Sequence, residues 1–145
     1  MNKNFKFLLF AIIFTALFVS ACGGGAQPEK SETGEKNDVP APYAGKVNPF
    51  EGKADAAATG KGLYDANCLS CHGATGLGDG PASAALTPKP ANLVEGLKED
   101  SVDFVFYRTA EGGMMAPYNS SMPAWKDSLS EDERWQIITY LETFK

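Results

Sequence analysis

The sequence predicts an all-α fold with much of the chain in loops, and three observations carry this prediction. Apolar residues recur at helical spacing in three segments, at about residues 54–67, 102–110 and 131–144. No segment shows the alternation of apolar and polar residues that is typical of a half-buried strand. Residues 73–92, between the first two helices, are rich in glycine and proline, which favours loop structure.

Local signals mark the ends of the second and third predicted helices. The second helix begins after Asp100 or Ser101, either of which can act as its N-cap, and ends at Gly112. At the start of the third helix, Ser130 and Glu133 have the spacing of a capping box. These signals predict well-defined ends for the two helices.

Length and composition predict one modest globular domain. The chain has 145 residues, of which 43% are hydrophobic and 21% are charged, an ordinary mixture for a folded protein. Its formal net charge is -5, which gives no indication of nucleic-acid binding.

Residues 1–21 are interpreted as an export signal. Lys3 and Lys6 precede an apolar run from Phe7 to Val19, which is shorter than the ~20 residues that a membrane span needs. The run ends just before Cys22, which is followed by three glycines. This pattern resembles a bacterial lipoprotein signal, which implies cleavage before Cys22 and acylation of that cysteine by diacylglycerol and an N-linked chain such as palmitate. Plain secretion and an uncleaved anchor helix are the alternatives.

Residues 22–51 are predicted to form a flexible tether, and residues 52–145 the folded domain. Gly, Pro, Glu, Lys, Ser and Asn dominate the tether, so that it has little apolar surface with which to offset the entropy of ordering. A flexible coil of this length has an r.m.s. reach of about 30 Å. The domain is small for a self-sufficient core, and a buried prosthetic group would add apolar contacts.

One motif carries specific chemistry. Residues 68–72 spell C-x-x-C-H, with thiols at Cys68 and Cys71 and an imidazole at His72. The two-residue gap matches the separation of the two vinyl groups of haem, to which the thiols add as thioethers, and the adjacent imidazole binds the iron. The motif predicts one covalently attached haem c, with His72 as an axial iron ligand.

Other interpretations of this motif have less support. A thioredoxin-like disulfide pair requires a βαβ context, which the sequence lacks. A structural zinc site needs about four ligands, whereas the chain has three cysteines and a single histidine. A chance occurrence of so short a pattern is the third alternative.

A methionine is predicted as the second axial ligand, because His72 is the only histidine and a His/Met pair is typical of electron-carrying haem. The candidates after the motif are Met114, Met115 and Met122. Met122 is favoured because Pro123 restrains the loop that leads into the last helix. Met115 is the less favoured alternative, and it and Met114 are interpreted as core filler or loop surface. Trp125 is predicted to pack beside the haem.

Residues 60–144 resemble the class I (mitochondrial-type) c-type cytochromes. Besides the C-x-x-C-H motif, Gly60 and Tyr64 correspond to a glycine and an aromatic residue on the family's first helix. Residues 137–141 correspond to the part of the last helix that packs across that glycine. The resemblance implies the cytochrome c fold, with three main helices and long loops wrapped around one covalent haem.

The resemblance also implies roles for two loops. Residues 89–93 resemble a loop in which a proline carbonyl accepts the N–H of the proximal histidine, so that Pro90 would orient His72. Pro81 and Pro88 are competing positions for this role. Residues 122–125 resemble the family's methionine loop, and residues 112–121 form a longer approach to it than in the shortest family members.

Lys89 and Arg108 are interpreted as solvated surface charges, with pairing to haem propionates as the alternative.

The function that the resemblance implies is one-electron transfer between extracytoplasmic redox partners in a respiratory or photosynthetic chain, without enzymatic activity. The implied partners are membrane redox complexes, other cytochromes or cupredoxins. The lipid anchor would attach the protein to the cell membrane, with the domain on the periplasmic or outer side. The long tether favours a shuttle over a cytochrome subunit of a complex. The alternative function is a haem sensor or enzyme, in which the bond to Met122 would be weak or absent in one state.

Overall fold

A computed structural model describes residues 38–144, and it is helical. The helices are α1 (Ala54–Asn67), α2 (Leu69–His72), α3 (Leu93–Glu99), α4 (Val102–Glu111) and α5 (Glu131–Leu141), with 3-10 turns at Ser83–Ala85 and Glu142–Phe144. No strand occurs among the described residues, as the sequence predicts. The three predicted helices correspond to α1, α4 and α5, whereas α2 and α3 lie on either side of the predicted loop 73–92, in stretches for which no helix was predicted.

The capping signals account for the start of α5 and the end of α4. At the start of α5 the Ser130 hydroxyl accepts the Glu133 N–H at 3.2 Å, and the Glu133 carboxylate accepts the Ser130 N–H at 2.8 Å, which confirms the capping box. Ser101 is the N-cap residue of α4, but its hydroxyl donates to the Asp103 carboxylate and caps no backbone N–H. Gly112 ends α4 with φ 72°, a conformation that favours glycine.

The helices α1 and α5 cross at Gly60. A Cβ atom at this position would lie 1.9 Å from the backbone carbonyl oxygen of Gln136, so only glycine allows the two backbones to approach this closely. One turn later Tyr64 is fully buried, and its ring meets Tyr140 and Phe144 edge-on at centroid distances of 5.4 and 5.7 Å. This crossing confirms the packing expected from Gly60.

The helix α5 contributes to two buried apolar clusters. The first cluster consists of Tyr64, Leu129, Ile137 and Leu141. The second consists of Phe106, Trp135 and Ile138. In the second cluster the rings of Phe106 and Trp135 stack with centroids 3.9 Å apart, which joins α4 to α5.

The predicted flexible tether is wrong for residues 38–51, here called the strap, because they pack against the domain. Tyr43 and Phe50 contact the second cluster. The side-chain amide of Asn48, which is 9% exposed, donates to the hydroxyl of Thr139 at 3.0 Å. The average composition of residues 22–51 conceals these few anchoring side chains at one end of the segment. The packed domain therefore begins before the predicted boundary at residue 52.

Residues 1–37 and 145 lie outside the described part of the chain, and with them lie the predicted signal, Cys22 and the first part of the tether. Between residues 38 and 144, no helix is both long enough and apolar enough to cross a membrane.

Candidate functional site

A cavity of about 620 Å³ brings the predicted site residues together. Cys68, Cys71, His72, Met122 and Trp125 all line it. The apolar part of the lining includes Leu86, Leu93, Leu97, Phe104, Ile137 and Leu141. This size and this mainly apolar lining are typical of a site for a large organic ligand.

One wall of the cavity, here called the proximal wall, spans residues 68–93. The backbone N–H of Cys68 donates to Tyr64 at 2.8 Å and that of His72 donates to Cys68 at 2.9 Å, so α2 continues the chain from α1 with little change of path. This single turn, together with its N-cap residue Cys68, presents both thiols and the imidazole to the cavity. Cys68 and Cys71 form no disulfide bond with each other, and burial raises the pKa of the Cys68 thiol to about 12. This thiol is therefore protonated at neutral pH.

Glycines after His72 let the proximal wall fold back on itself. The N–H of Gly78 donates to the His72 carbonyl at 2.9 Å, and the N–H of Gly80 donates to the Cys71 carbonyl at 3.1 Å. A Cβ atom at Gly78, whose φ is 78°, would lie 2.4 Å from the carbonyl oxygen of Pro90. The glycines thus allow backbone to pass directly against backbone, as expected for a loop that wraps a ligand.

The orientation of His72 is set by the Ala91 carbonyl oxygen, which lies 3.1 Å from the ring atom Nδ1. A proton on Nδ1 makes the ring a donor to this carbonyl and leaves the lone pair of Nε2 for a metal. Burial lowers the pKa of His72, which keeps the imidazole neutral at pH 7. The prediction that the Pro90 carbonyl accepts this hydrogen bond is wrong, because that carbonyl lies against Gly78. Pro90 itself lines the cavity.

The opposing residues come from the loop between α4 and α5, here called the distal wall, residues 112–126. The N–H of Gly113 donates to the Met122 carbonyl at 2.9 Å. The N–H groups of Trp125 and Lys126 both donate to the carbonyl of Ala110, at 3.0 and 3.1 Å. The loop is therefore fastened to the end of α4 on both sides of Met122.

The other two methionines of this loop are placed differently. Met114 is 75% exposed and Met115 is 36% exposed, and neither lines the cavity. The sulfur of Met115 lies 4.0 Å from the guanidinium of Arg108. Met122 is the methionine that the structure places with the two thiols and the imidazole.

Arg108 is partly buried at the cavity, which differs from the solvated surface charge favoured by the sequence analysis. Its guanidinium carbon lies 3.3 Å from the centroid of the Tyr118 ring, and its Nη1 donates to the Gly112 carbonyl at 2.6 Å. Lys89 also lines the cavity but is exposed. These two cations supply the positive charge that suits the carboxylates of a haem.

Sequence reasoning missed two residues of this site, Ala91 and Tyr118. Tyr118 is the sole aromatic residue of the segment 112–121, and this was the signal that could have drawn attention to it. Nothing in the sequence distinguishes Ala91 from its neighbour Pro90, since every residue carries a carbonyl.

The donor set of this cavity fits a covalently attached haem. The thiols of Cys68 and Cys71 lie about one helical turn apart, and the neutral imidazole of His72 has a nitrogen available for iron. The thioether of Met122 comes from the distal wall. The lining is mainly apolar, and the guanidinium of Arg108 lies beside it. An all-α domain that builds such a cavity beside a C-x-x-C-H motif defines the class of c-type cytochromes.

Comparisons with known proteins agree with this class. The family model described as cytochrome c oxidase, cbb3-type, subunit III matches residues 55–141. Cytochrome c-554(547) of Halothiobacillus neapolitanus is 36% identical over 96 residues, which cover 63% of this chain and 100% of that protein. Cytochrome c6 of Leptolyngbya boryana is 33% identical over 88 residues, which cover 61% of this chain and 91% of that protein.

A solved structure shows the same fold. A chain of the Kuenenia stuttgartiensis reducing HAO-like protein complex Kustc0457/Kustc0458 superposes with a TM-score of 0.55 at 26% identity. The superposition covers 66% of this chain and 46% of that one, so the present chain corresponds to about half of its neighbour.

The chain belongs to the cytochrome c family whose model it matches. The predicted resemblance to class I c-type cytochromes and the predicted cytochrome c fold are both confirmed. Membership implies covalently bound haem c, and the relatives carry electrons and are not enzymes. The function of the chain is accordingly electron transfer by a cytochrome c.

Proposed function

We propose that this cytochrome is a membrane-tethered carrier of single electrons, with haem c attached through Cys68 and Cys71 and ligated by His72 and Met122. The observation that carries the proposal is the convergence of these four residues on one cavity from two separate walls. When bound, haem c supplies an iron that takes up and releases one electron.

The contacts of the protein hold the two axial ligands in fixed positions. The imidazole of His72 is oriented by its hydrogen bond to Ala91, and the Met122 backbone is held by the N–H of Gly113. Because both contacts come from the protein itself, His72 and Met122 would be held in the same positions in both oxidation states of a bound haem. Small reorganisation of the ligands is the property that an electron carrier requires.

The loops that flank the cavity favour docking of a redox partner at this side of the domain. Residues 80–94 and 112–126 contain no Asp or Glu, although the chain as a whole has 18 of them and a net charge of -5. Both loops contribute lining residues, and Lys89, Pro123 and Ala124 are exposed. Asp100 is the one acidic residue among the described residues that line the cavity. Loops without carboxylates beside a cavity of an acidic protein suit a partner that is apolar or weakly acidic, such as a membrane redox complex, another cytochrome or a cupredoxin.

The tether is part of the proposal. Lipid attached to Cys22 would hold the domain on the extracytoplasmic side of the membrane, and more than one acyl chain gives stable attachment. A coil from Cys22 to Asp38 would have an r.m.s. reach of about 22 Å, shorter than the sequence alone indicates because the strap is packed. This reach supports a shuttle that exchanges electrons with nearby partners of a respiratory or photosynthetic chain.

A second candidate role is that of a cytochrome subunit in a larger redox complex. It is favoured by the structural neighbour from Kuenenia stuttgartiensis, which belongs to a reducing HAO-like protein complex and whose chain is about twice as long as the region matched here. Isolation of the native protein under mild detergent distinguishes the roles, since a shuttle migrates alone and a subunit co-migrates with its complex.

Absorption spectra of the purified oxidised and reduced protein test the haem ligation. We expect a c-type spectrum and, in the oxidised protein, the weak far-red band that reports a bond between methionine sulfur and iron. We also expect slow binding of carbon monoxide to the reduced protein, because both axial positions are filled. Rapid binding at neutral pH would overturn the electron-carrier assignment in favour of a haem sensor or enzyme.

The anchor is tested by the substitution Cys22→Ala in the native host. We expect the unsubstituted protein in the membrane fraction with labelled palmitate, and the variant released in soluble form with its haem spectrum unchanged. An unsubstituted protein that lies in the membrane fraction without the palmitate label contradicts lipidation and supports an uncleaved anchor helix.

A further inference from the structure

One carboxylate joins the strap to the loop that carries Met122. The hydroxyl of Tyr43, in the strap, donates to Oε1 of Glu111, the last residue of α4. Nζ of Lys126, in the distal wall, donates to Oε2 of the same carboxylate at 2.7 Å. Three elements that are far apart in the sequence therefore meet at Glu111.

The end of α4 is the part of the molecule on which the position of Met122 depends. The carbonyl of Ala110 accepts the N–H groups of Trp125 and Lys126, and Gly113 donates to the Met122 carbonyl. A displacement of the last turn of α4 therefore moves the backbone on both sides of the methionine.

The strap restrains this last turn by packing as well as by hydrogen bonding. The Tyr43 ring lies against the rings of Phe106 and Tyr107 of α4, at centroid distances of 6.1 and 5.3 Å. Burial and the hydrogen bond to Glu111 raise the pKa of Tyr43 to about 12, and the contacts with Lys126 and Tyr43 lower the pKa of Glu111. At neutral pH the three groups are thus a neutral phenol, an anion and a cation, which is the favourable arrangement for charge-assisted hydrogen bonds.

We propose that Tyr43 is a positioning residue for Met122, and that the strap latches the axial-ligand loop in place. This inference rests on the proposed ligation by Met122. It assigns the strap a role in the redox centre beyond its connection to the preceding chain. Detachment of the strap weakens the methionine–iron bond while the thioether attachment and the α1–α5 crossing persist.

The test uses the full-length haem-loaded protein with Tyr43→Phe, which removes the hydroxyl and keeps the ring. Added imidazole competes with methionine for oxidised iron, and loss of the far-red band measures this competition. The lost hydrogen bond would stabilise the methionine-bound state by about 0.5–1.5 kcal/mol. Its removal should therefore lower the apparent dissociation constant of imidazole by about 2- to 10-fold. The reduction potential of the variant should fall in parallel, because methionine ligation raises it.

The matched control is Lys46→Gln. Lys46 lies in the same strap and forms an ion pair at 2.7 Å with Glu131, which lies at the start of α5 rather than at the end of α4. We expect this variant to bind imidazole as the unsubstituted protein does. A second variant, Glu111→Gln, should tighten imidazole binding at least as much as Tyr43→Phe, because it weakens both contacts of the latch.

The outcomes separate this inference from the proposal on which it rests. A missing far-red band in the unsubstituted protein refutes ligation by Met122. A normal band with equal imidazole binding in Tyr43→Phe, Lys46→Gln and the unsubstituted protein refutes the latch and leaves the ligation intact. Equal tightening in Tyr43→Phe and Lys46→Gln also refutes it, because the strap would then act only on overall stability.

Discussion

The proximal and distal walls of the cavity are held in place by different means. The proximal wall is fixed by backbone hydrogen bonds within a short stretch of chain, such as those from Gly78 to His72 and from Gly80 to Cys71. The distal wall is fixed by the end of α4, which the strap in turn restrains through Tyr43 and Glu111. Ligands on the proximal wall therefore depend on contacts within residues 68–93, such as that between His72 and Ala91, whereas Met122 depends in addition on the strap.

This difference predicts that substitutions in the two walls disturb different parts of the haem site. Changes in the proximal wall should affect attachment of the haem and the orientation of His72. Changes in the distal wall should release methionine from the iron while the haem stays covalently bound. The first three experiments below compare a variant in one wall with a matched variant, and the fourth tests the carboxylate of Glu111, which contacts the distal wall through Lys126.

The largest effect is expected from the double substitution Cys68→Ala and Cys71→Ala in the proximal wall. Without either thiol no thioether can form, so covalent haem should be lost completely. The measurement is the haem stain of the denatured protein, with Ser70→Ala as the control. Ser70 lies between the two thiols and is exposed, and its variant should retain covalent haem. Covalent haem in the double variant contradicts the assignment of the attachment site.

A smaller but specific effect is expected from Met122→Ala in the distal wall. This variant should keep covalent haem, lose the far-red band, bind carbon monoxide rapidly when reduced and have a lower reduction potential. Met115→Ala is the matched control, because Met115 belongs to the same loop but does not line the cavity. A normal far-red band in Met122→Ala together with a missing band in Met115→Ala would assign the iron ligand to Met115.

The glycines Gly78 and Gly112 allow a direct comparison of the two walls. Both have φ above +70°, and an added Cβ would lie 2.4 Å from the Pro90 carbonyl in the first case and 2.5 Å from Pro123 in the second. Substitution by alanine should lower the free energy of unfolding by about 1–3 kcal/mol at each position. In thermal scans monitored by the far-red band, Gly112→Ala should lose the band well before it unfolds, whereas Gly78→Ala should not. The opposite order contradicts the proposed difference between the walls.

The smallest effect concerns the acid sensitivity of the distal wall. The hydrogen bonds from Lys126 and then Tyr43 hold the pKa of Glu111 below its ordinary value of 4.5. The stability that its charged form contributes is present above this value and is lost as the pH falls through the lowered pKa. The difference in unfolding midpoint between the unsubstituted protein and Glu111→Gln should therefore shrink as the pH drops below about 4. A difference that is constant from pH 7 to pH 3 contradicts this role of the carboxylate.

The long helices could be predicted from the sequence because their signals are local. The start of α5 follows from the Ser130 capping box and the end of α4 from Gly112, each within a few residues of the feature it marks. The short helix α3 was missed although the side chain of Asn92 caps it, accepting N–H groups of Val94 and Glu95. Seven residues are too few to show a helical period in the sequence.

The parts of the site that depend on backbone direction or on distant contacts could not be predicted in the same way. Residue type indicates a thiol or an imidazole, but it does not indicate that the carbonyl of Ala91 faces His72 while that of Pro90 faces Gly78. The strap was missed for a related reason, since Tyr43 and Asn48 acquire their partners only when α4 and α5 are in place. Composition averaged over residues 22–51 contains no information on those partners.

Mass spectrometry of the protein purified from its native host tests the central claim most directly. We expect the proteolytic fragment that contains Cys68 and Cys71 to carry the mass of one haem, bound through both sulfur atoms. The same fragment with two unmodified thiols, or with a disulfide between them, would contradict the account.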